Sequence, residues 1–163
     1  DSLAITEYLA ESHPQIWPSD GEARAFARSA AAEMHSGYGN LRNICGMNVG
    51  LRIELASIPE GLAQDIARLD TVWTEGLSRF GGPFLAGDRF TAVDAFFTAV
   101  AFRVQTYDLK LSEPAAAYAQ RLLALPSMRD WYADALKETW RKAVYESEAL
   151  AAGRIVADYR QTA

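Results

Sequence analysis

The chain has 163 residues, of which 50% are apolar and 23% are charged, and its formal net charge is −5 at pH 7. The 16 Lys and Arg residues are outnumbered by 21 Asp and Glu residues and form no basic stripe, which excludes nucleic acid as an expected partner. The single cysteine, Cys45, excludes an internal disulfide and a cysteine-built metal site. No apolar run approaches the roughly 20 residues of a membrane helix. These features predict one compact, cytoplasmic domain.

The first part of the chain has helical periodicity. Ser2 is expected to cap a short helix that ends before Pro14. A long helix is then predicted over 22–44, because apolar residues recur there every three or four positions. The glycine-containing segment 46–61 is predicted to be a connection, or over 51–55 an extension of the preceding helix after a kink.

The second part continues the helical pattern. Further helices are predicted at about 62–80, 93–104, 112–125 and 127–140, with a short turn of helix at 146–152 and a last segment that docks or frays. The helix at 93–104 is apolar on most sides, which favours the middle of a bundle. Trp73, Trp131 and Trp140 fall on apolar stripes and are interpreted as core residues. No segment shows the alternation of a strand, so the sequence predicts an all-α domain of six or seven helices.

The central helix begins with a recognisable N-terminal signal. Thr91 and Asp94 match a capping box, in which the hydroxyl accepts from a first-turn amide and the acid three residues later reaches back. The pattern accounts for Asp94 fully. We therefore interpret Asp94 as a structural residue rather than a catalytic acid.

Three stretches, taken in order, resemble the glutathione transferase superfamily. They are DSLAITEYL at 1–9, FLAGDRFTAVDA at 84–95 and LPSMRDW at 125–131. The second is the most specific, because in that superfamily a glycine-containing loop followed by Ser/Thr-x-x-Asp opens the central helix of the C-terminal domain. The stretch EMHSGYGNLR at 33–42 is similar to bacterial and zeta-like members. The resemblance covers nearly the whole chain and implies a helical bundle of the C-terminal type.

The resemblance also implies a domain organisation. Residues 1–13 correspond to the last helix of a thioredoxin-like N-terminal domain, 14–21 to a linker, and 22–163 to the all-helical C-terminal domain. Because the chain opens inside a helix without a Met, we expect that sequence upstream is missing. In the superfamily, the Ser, Tyr or Cys that activates the thiol lies near the start of the N-terminal domain. The chain is therefore expected to lack the catalytic residue and to be inactive alone. Separately, no motif in the sequence predicts a metal site.

The implied function is conjugation in detoxification. The complete enzyme would lower the pKa of the glutathione thiol, and the thiolate would attack an electrophilic small molecule. The expected assembly is a homodimer. Two alternatives stay open: a zeta-like isomerase that uses glutathione as a cofactor, and a non-catalytic binding or assembly module that keeps the fold. A Ser, Cys or Tyr at the head of the first upstream helix would favour the enzyme.

The first predicted site is for glutathione. Asp1 and Ser2 match the superfamily's pair of an acid or amide followed by serine, which holds the γ-glutamyl carboxylate of glutathione. The physical reason is general, since first-turn amides and the helix dipole attract a carboxylate and a serine hydroxyl adds a donor. A plain helix cap would account for Ser2 equally well.

The second predicted site is for the electrophile. Its residues are His35, Tyr38 and Arg42 on the long helix and Arg103 and Tyr107 on the central helix. Each helix offers an Arg and a Tyr four residues apart on one face, so the two pairs are expected to converge on one cleft near the glutathione pair. Two arginines there favour electrophiles that carry a negative group. A solvated stripe and a structural salt bridge are the competing interpretations.

Overall fold

The computed structural model describes residues 1–161, which form eight α-helices and two β-strands. The helices are α1 (Ser2–Ser12), α2 (Gly21–Ser36), α3 (Gly39–Ile44), α4 (Glu60–Arg79), α5 (Ala92–Tyr107), α6 (Glu113–Leu123), α7 (Pro126–Lys137) and α8 (Ala143–Ala152); the strands are β1 (Leu51–Leu55) and β2 (Gly153–Asp158). A 3₁₀ turn at Pro14–Ile16 follows α1. In this described part of the chain, no helix is long and apolar enough to cross a membrane. The predicted helical bundle is confirmed.

Helix α5 is the centre of the bundle, as its apolar sequence predicts. It packs against α2, α6 and β1, and nine of its 16 residues are buried. Trp73 of α4 meets this core edge-on, with ring centroids 5.7 Å from Phe97 and 4.9 Å from Tyr118. Burying side chains of this size contributes about 1.5–3 kcal/mol each, so the core holds α4, α5 and α6 together.

The predicted long helix is wrong in one place, because it breaks between α2 and α3. Helix α2 ends at Ser36, and Tyr38 adopts a left-handed backbone with φ 56° before α3 begins. Gly37 permits the turn, since a Cβ there would lie 2.7 Å from the Glu33 carbonyl oxygen. The break redirects α3 and decides which side chains of the two helices share a surface.

The segment predicted as a connection or helix extension is a strand instead. Strand β1 pairs antiparallel with β2 in a two-stranded sheet, so the part of the last segment over 153–158 docks. Leu51 and Ile53 are buried in the core, whereas Arg52 and Glu54 between and beyond them are not. This two-residue alternation is the signature of a half-buried strand. Five residues are too few for it to stand out in the sequence.

Arg160 joins the residues that follow β2 to α8 through ion pairs. Its guanidinium donates to Glu146 Oε1 at 2.7 Å and to Asp158 Oδ2 at 2.8 Å. The hydrogen bonds from Arg160 hold the pKa of the Asp158 carboxyl below its usual range. Since the folded-state pKa is the lower one, this stabilisation is present above the unfolded pKa of about 3.9 and is lost as the pH falls through the folded pKa.

We therefore expect the Arg160→Met substitution to lower the melting temperature at pH 6 by more than at pH 3. Thermal unfolding followed by circular dichroism at both pH values measures the difference. Arg129→Met is the matched control, because Arg129 forms no salt bridge among the described residues. An equal decrease in the melting temperature of Arg160→Met at the two pH values would contradict the stabilising role of the Arg160–Asp158 pair.

Candidate functional site

The N-terminus of α1 carries the predicted glutathione pair. Asp1, and not Ser2, is the N-cap, because its Oδ1 accepts from the Ala4 amide at 3.1 Å. This corrects the prediction that Ser2 caps the helix. Ser2 is the first residue of α1, and its Oγ lies 3.1 Å from Nδ1 of His35. The Ser2 hydroxyl is thus directed toward α2 rather than used in capping.

His35 near the end of α2 contacts both residues of this pair. Its Nδ1 contacts Ser2, and its Nε2 lies 3.1 Å from Asp1 Oδ2. The carbonyl of His35 accepts from Nη1 of Arg42 at 2.9 Å. Three predicted site residues, Ser2, His35 and Arg42, therefore form one continuous chain of contacts from α1 through α2 to α3.

Arg42 is the last residue in this chain of contacts from Ser2, and it lines a cleft. Its Nη1 also lies 3.4 Å from the Met34 carbonyl, and among the described residues its guanidinium forms no salt bridge. The cleft has a volume of about 520 Å³. Besides Arg42, the residues that line it include Gly46, Tyr107, Trp131, Trp140 and Tyr145.

Arg103 and Tyr107 of α5 support the segment after α3. Arg103 Nε donates to the Cys45 carbonyl at 2.9 Å, and Tyr107 Oη donates to the Gly46 carbonyl at 2.9 Å. Burial is the main cause that lowers the pKa of the Arg103 guanidinium, and the charge of Arg42 lowers it further. Burial also raises the pKa of Tyr107 to about 12, so this phenol is neutral at pH 7. Tyr107 lines the cleft, whereas Arg103 braces its wall.

Tyr38 does not join the other predicted electrophile residues. Its side chain is buried, and its Oη lies 3.4 Å from Glu33 Oε1. Arg68 of α4 holds the same Glu33 carboxylate at 2.6 and 2.8 Å. The predicted convergence is therefore wrong for Tyr38. The left-handed turn at Tyr38 breaks the helix, so the four-residue spacing to Arg42 no longer puts both side chains on one face.

The aromatic wall of the cleft was not predicted from the sequence. Trp131 and Trp140 are 43% and 60% exposed, whereas Trp73 is buried as expected. Lys142 Nζ lies 5.8 Å from the ring centroid of Trp140 and 5.5 Å from that of Tyr145. An apolar stripe gives the same signal for a core helix and for a cleft wall, so spacing alone could not separate the two.

The described residues contain no reactive thiol and no group of side chains that could bind a metal ion. Cys45 is buried, and burial raises the pKa of its thiol to about 11. A thiol in this environment is protonated at neutral pH and is a poor nucleophile. Within residues 1–161, no group of three or more His, Cys, Asp and Glu side chains could hold a metal ion.

Comparisons with known proteins agree with this architecture. Residues 54–134 match the family model of the glutathione S-transferase C-terminal domain. No curated protein matches the chain. Among solved structures, the chain is similar to a glutathione transferase homolog from Burkholderia gl BGR1 with bound glutathione, at 23% identity and a TM-score of 0.57. This similarity covers 83% of the chain and 66% of that protein, and it shows a shared fold. The family match shows that residues 54–134 belong to the glutathione S-transferase C-terminal domain family.

Proposed function

We propose that the chain is the C-terminal part of a glutathione transferase that acts in the cytoplasm as a homodimer. In this organisation residues 1–13 are the last helix of a thioredoxin-like domain, and residues 22–163 are the helical domain. Residues 14–21 are the linker between the two domains. The apolar side of α1 supports the first assignment, because Ile5 is 58% and Tyr8 is 73% exposed. An apolar helix face of this kind is suited to cover a sheet.

The proposed glutathione contacts are at the N-terminus of α1. The γ-glutamyl end of glutathione carries a carboxylate and an ammonium group. The Ser2 hydroxyl and the amides of Ser2 and Leu3 suit the carboxylate, since these first-turn amides lack intrahelical partners, whereas the Ala4 amide donates to Asp1. The Asp1 carboxylate suits the ammonium group. When bound, glutathione supplies the thiol of the reaction, and these residues orient its far end.

The electrophile is proposed to bind in the cleft beside Arg42 and Tyr107. The observation that carries the proposal is the chain of contacts between the two sites, in which Ser2 meets His35 at 3.1 Å and the His35 carbonyl meets Arg42 at 2.9 Å. Arg103 fixes the wall behind Tyr107 through its bond to the neighbouring backbone. The two substrates would thus lie next to each other, as an intermolecular attack requires.

Binding of a conjugate tests this arrangement. We expect the full 163-residue chain to bind S-(2,4-dinitrophenyl)glutathione about tenfold more tightly than glutathione, because the conjugate would occupy both sites. The Ser2→Ala substitution should weaken both ligands, whereas Arg42→Met should weaken mainly the conjugate. Arg129→Met serves as the charge-matched control. Equal affinities for the two ligands, unchanged by Arg42→Met, would contradict the proposed electrophile site.

The chain on its own is expected to be inactive as a transferase. Its residues supply one end of the glutathione site, so we expect a dissociation constant for glutathione of about 1 mM or weaker. An assay with an aromatic halide such as 1-chloro-2,4-dinitrobenzene should give the uncatalysed rate. Turnover well above that rate would mean that a nucleophile-activating group lies within this chain.

A further inference from the structure

His35 touches both residues of the proposed glutathione pair, although neither its sequence position nor the family resemblance assigns it there. We infer that His35 is a positioning residue that decides whether the Ser2 hydroxyl can donate a hydrogen bond to glutathione, which makes glutathione binding dependent on pH. The inference rests on the proposed function, because it concerns the same site. Its basis is the pair of 3.1 Å contacts from the two ring nitrogens.

The hydrogen-bond roles follow from the partners. The Asp1 carboxylate can only accept, so Nε2 of His35 carries a hydrogen in both the neutral and the charged ring. In the neutral ring Nδ1 is then bare, and the Ser2 hydroxyl must donate to it. In the imidazolium ion Nδ1 carries a hydrogen as well, and the direction of the bond to Ser2 Oγ reverses.

The reversal changes what Ser2 can offer a ligand. A serine hydroxyl has one hydrogen to donate, and a carboxylate can only accept. With neutral His35, the hydrogen of Ser2 is used within the protein, and the oxygen lone pairs remain for the ligand. With charged His35, the hydrogen is free for the γ-glutamyl carboxylate. Glutathione therefore favours the protonated state, and by linkage its binding takes up a proton and weakens as the pH rises.

The charged groups that face His35 come from α1 and α3, and imidazole is the side chain type that ordinarily changes charge between about pH 5 and 8. Asp1 faces it from α1, and Arg42 contacts its carbonyl from α3. Carboxylic acids ordinarily titrate near pH 4, and arginine stays charged. The other ion pair between α1 and α2, Glu7 with Arg28, lies about 10 Å away along α2.

The test uses S-methylglutathione, whose blocked thiol does not titrate, with the full chain at pH 5.5 and pH 7.5. Calorimetry or amide NMR shifts at Leu3 and Ala4 give the dissociation constant. We expect binding about fivefold tighter at pH 5.5, the lower end of typical coupling between two sites. His35→Gln should remove the pH dependence. The His13→Gln control should keep it, because His13 lies at the opposite end of α1.

Two variants separate this mechanism from simple attraction by a charged histidine. Ser2→Ala removes the switched donor but keeps the charge of His35. Asp1→Asn caps the helix equally well, yet it no longer fixes the hydrogen on Nε2, so a neutral His35 can donate to Ser2. We expect both variants to lose most of the pH dependence. Retention of the full dependence in either one would overturn the inference.

The outcomes also separate the inference from the proposed function. Wild-type binding with amide shifts at Leu3 and Ala4 but equal affinity at both pH values would overturn the role of His35 alone. The absence of any shift at α1, at either pH, would overturn the proposed glutathione site and the inference with it.

Discussion

Replacement of Asp94 by alanine is expected to lower the free energy of unfolding by about 3–5 kcal/mol. Asp94 is fully buried, and its carboxylate accepts from the Leu85 amide at 3.0 Å, the Thr91 amide at 2.8 Å and Tyr118 Oη at 2.8 Å. Alanine would leave three buried donors without an acceptor. Each such donor costs about 1–3 kcal/mol, which exceeds the roughly 1 kcal/mol of a lost helix cap.

Urea denaturation measures this loss as a lower midpoint with an unchanged slope. Asp88→Ala is the matched control, because the Asp88 side chain is 90% exposed, and we expect its effect to stay within about 0.5 kcal/mol. Conjugate binding by the folded Asp94→Ala protein should be unchanged. A stable variant that fails to bind would instead make Asp94 a site residue.

The Gly76→Val substitution is expected to destabilise the domain by about 3 kcal/mol through overpacking. A Cβ on Gly76 of α4 would lie 2.5 Å from the Leu85 carbonyl oxygen and 2.8 Å from the Phe26 ring. The backbone carbonyl cannot move aside as a flexible side chain could. The substitution therefore displaces the segment around Leu85, whose amide is bonded to Asp94.

The control for this prediction is Gly21→Ala, since no atom lies within 4 Å of a Cβ at Gly21. We expect Gly21→Ala to be neutral or to stabilise by up to about 1 kcal/mol. Gly76 packs against the Leu85 carbonyl, and Asp94 accepts from the Leu85 amide. Because both positions act on Leu85, the double variant should lose less unfolding free energy than the sum of the two single variants. Strict additivity would show that the two positions act independently, and a fully stable Gly76→Val protein would contradict the close packing.

The features that the sequence predicted well are those that depend on local spacing. The capping box needs only the three-residue separation of Thr91 and Asp94, and it is present in the structure. The apolar periodicity of α4 and α5 is likewise contained within each helix. The sheet is different, because Leu51 pairs with Asp158 more than 100 positions away and neither short strand is recognisable alone.

The candidate site was predictable in part for the same reason. Ser2 and Arg42 do belong to one connected region, but the connection runs through His35, which depends on how α1 and α2 pack. Tyr38 was misplaced because a single left-handed residue cancels the helical spacing on which its prediction rested. Trp140 is 60% exposed because α7 ends at Lys137, three residues before it, so the helical stripe that predicted a core position does not reach Trp140.

The most direct test of the two-substrate arrangement is an assigned NMR spectrum of the full chain with S-(2,4-dinitrophenyl)glutathione. The proposed function predicts amide shifts in two places at once, at residues 2–4 of α1 and at residues 46–50 with Tyr107 beside the cleft. It predicts none in the groove between α2 and α4 near Glu33 and Arg68. Shifts confined to that groove, or to only one of the two predicted places, would contradict it.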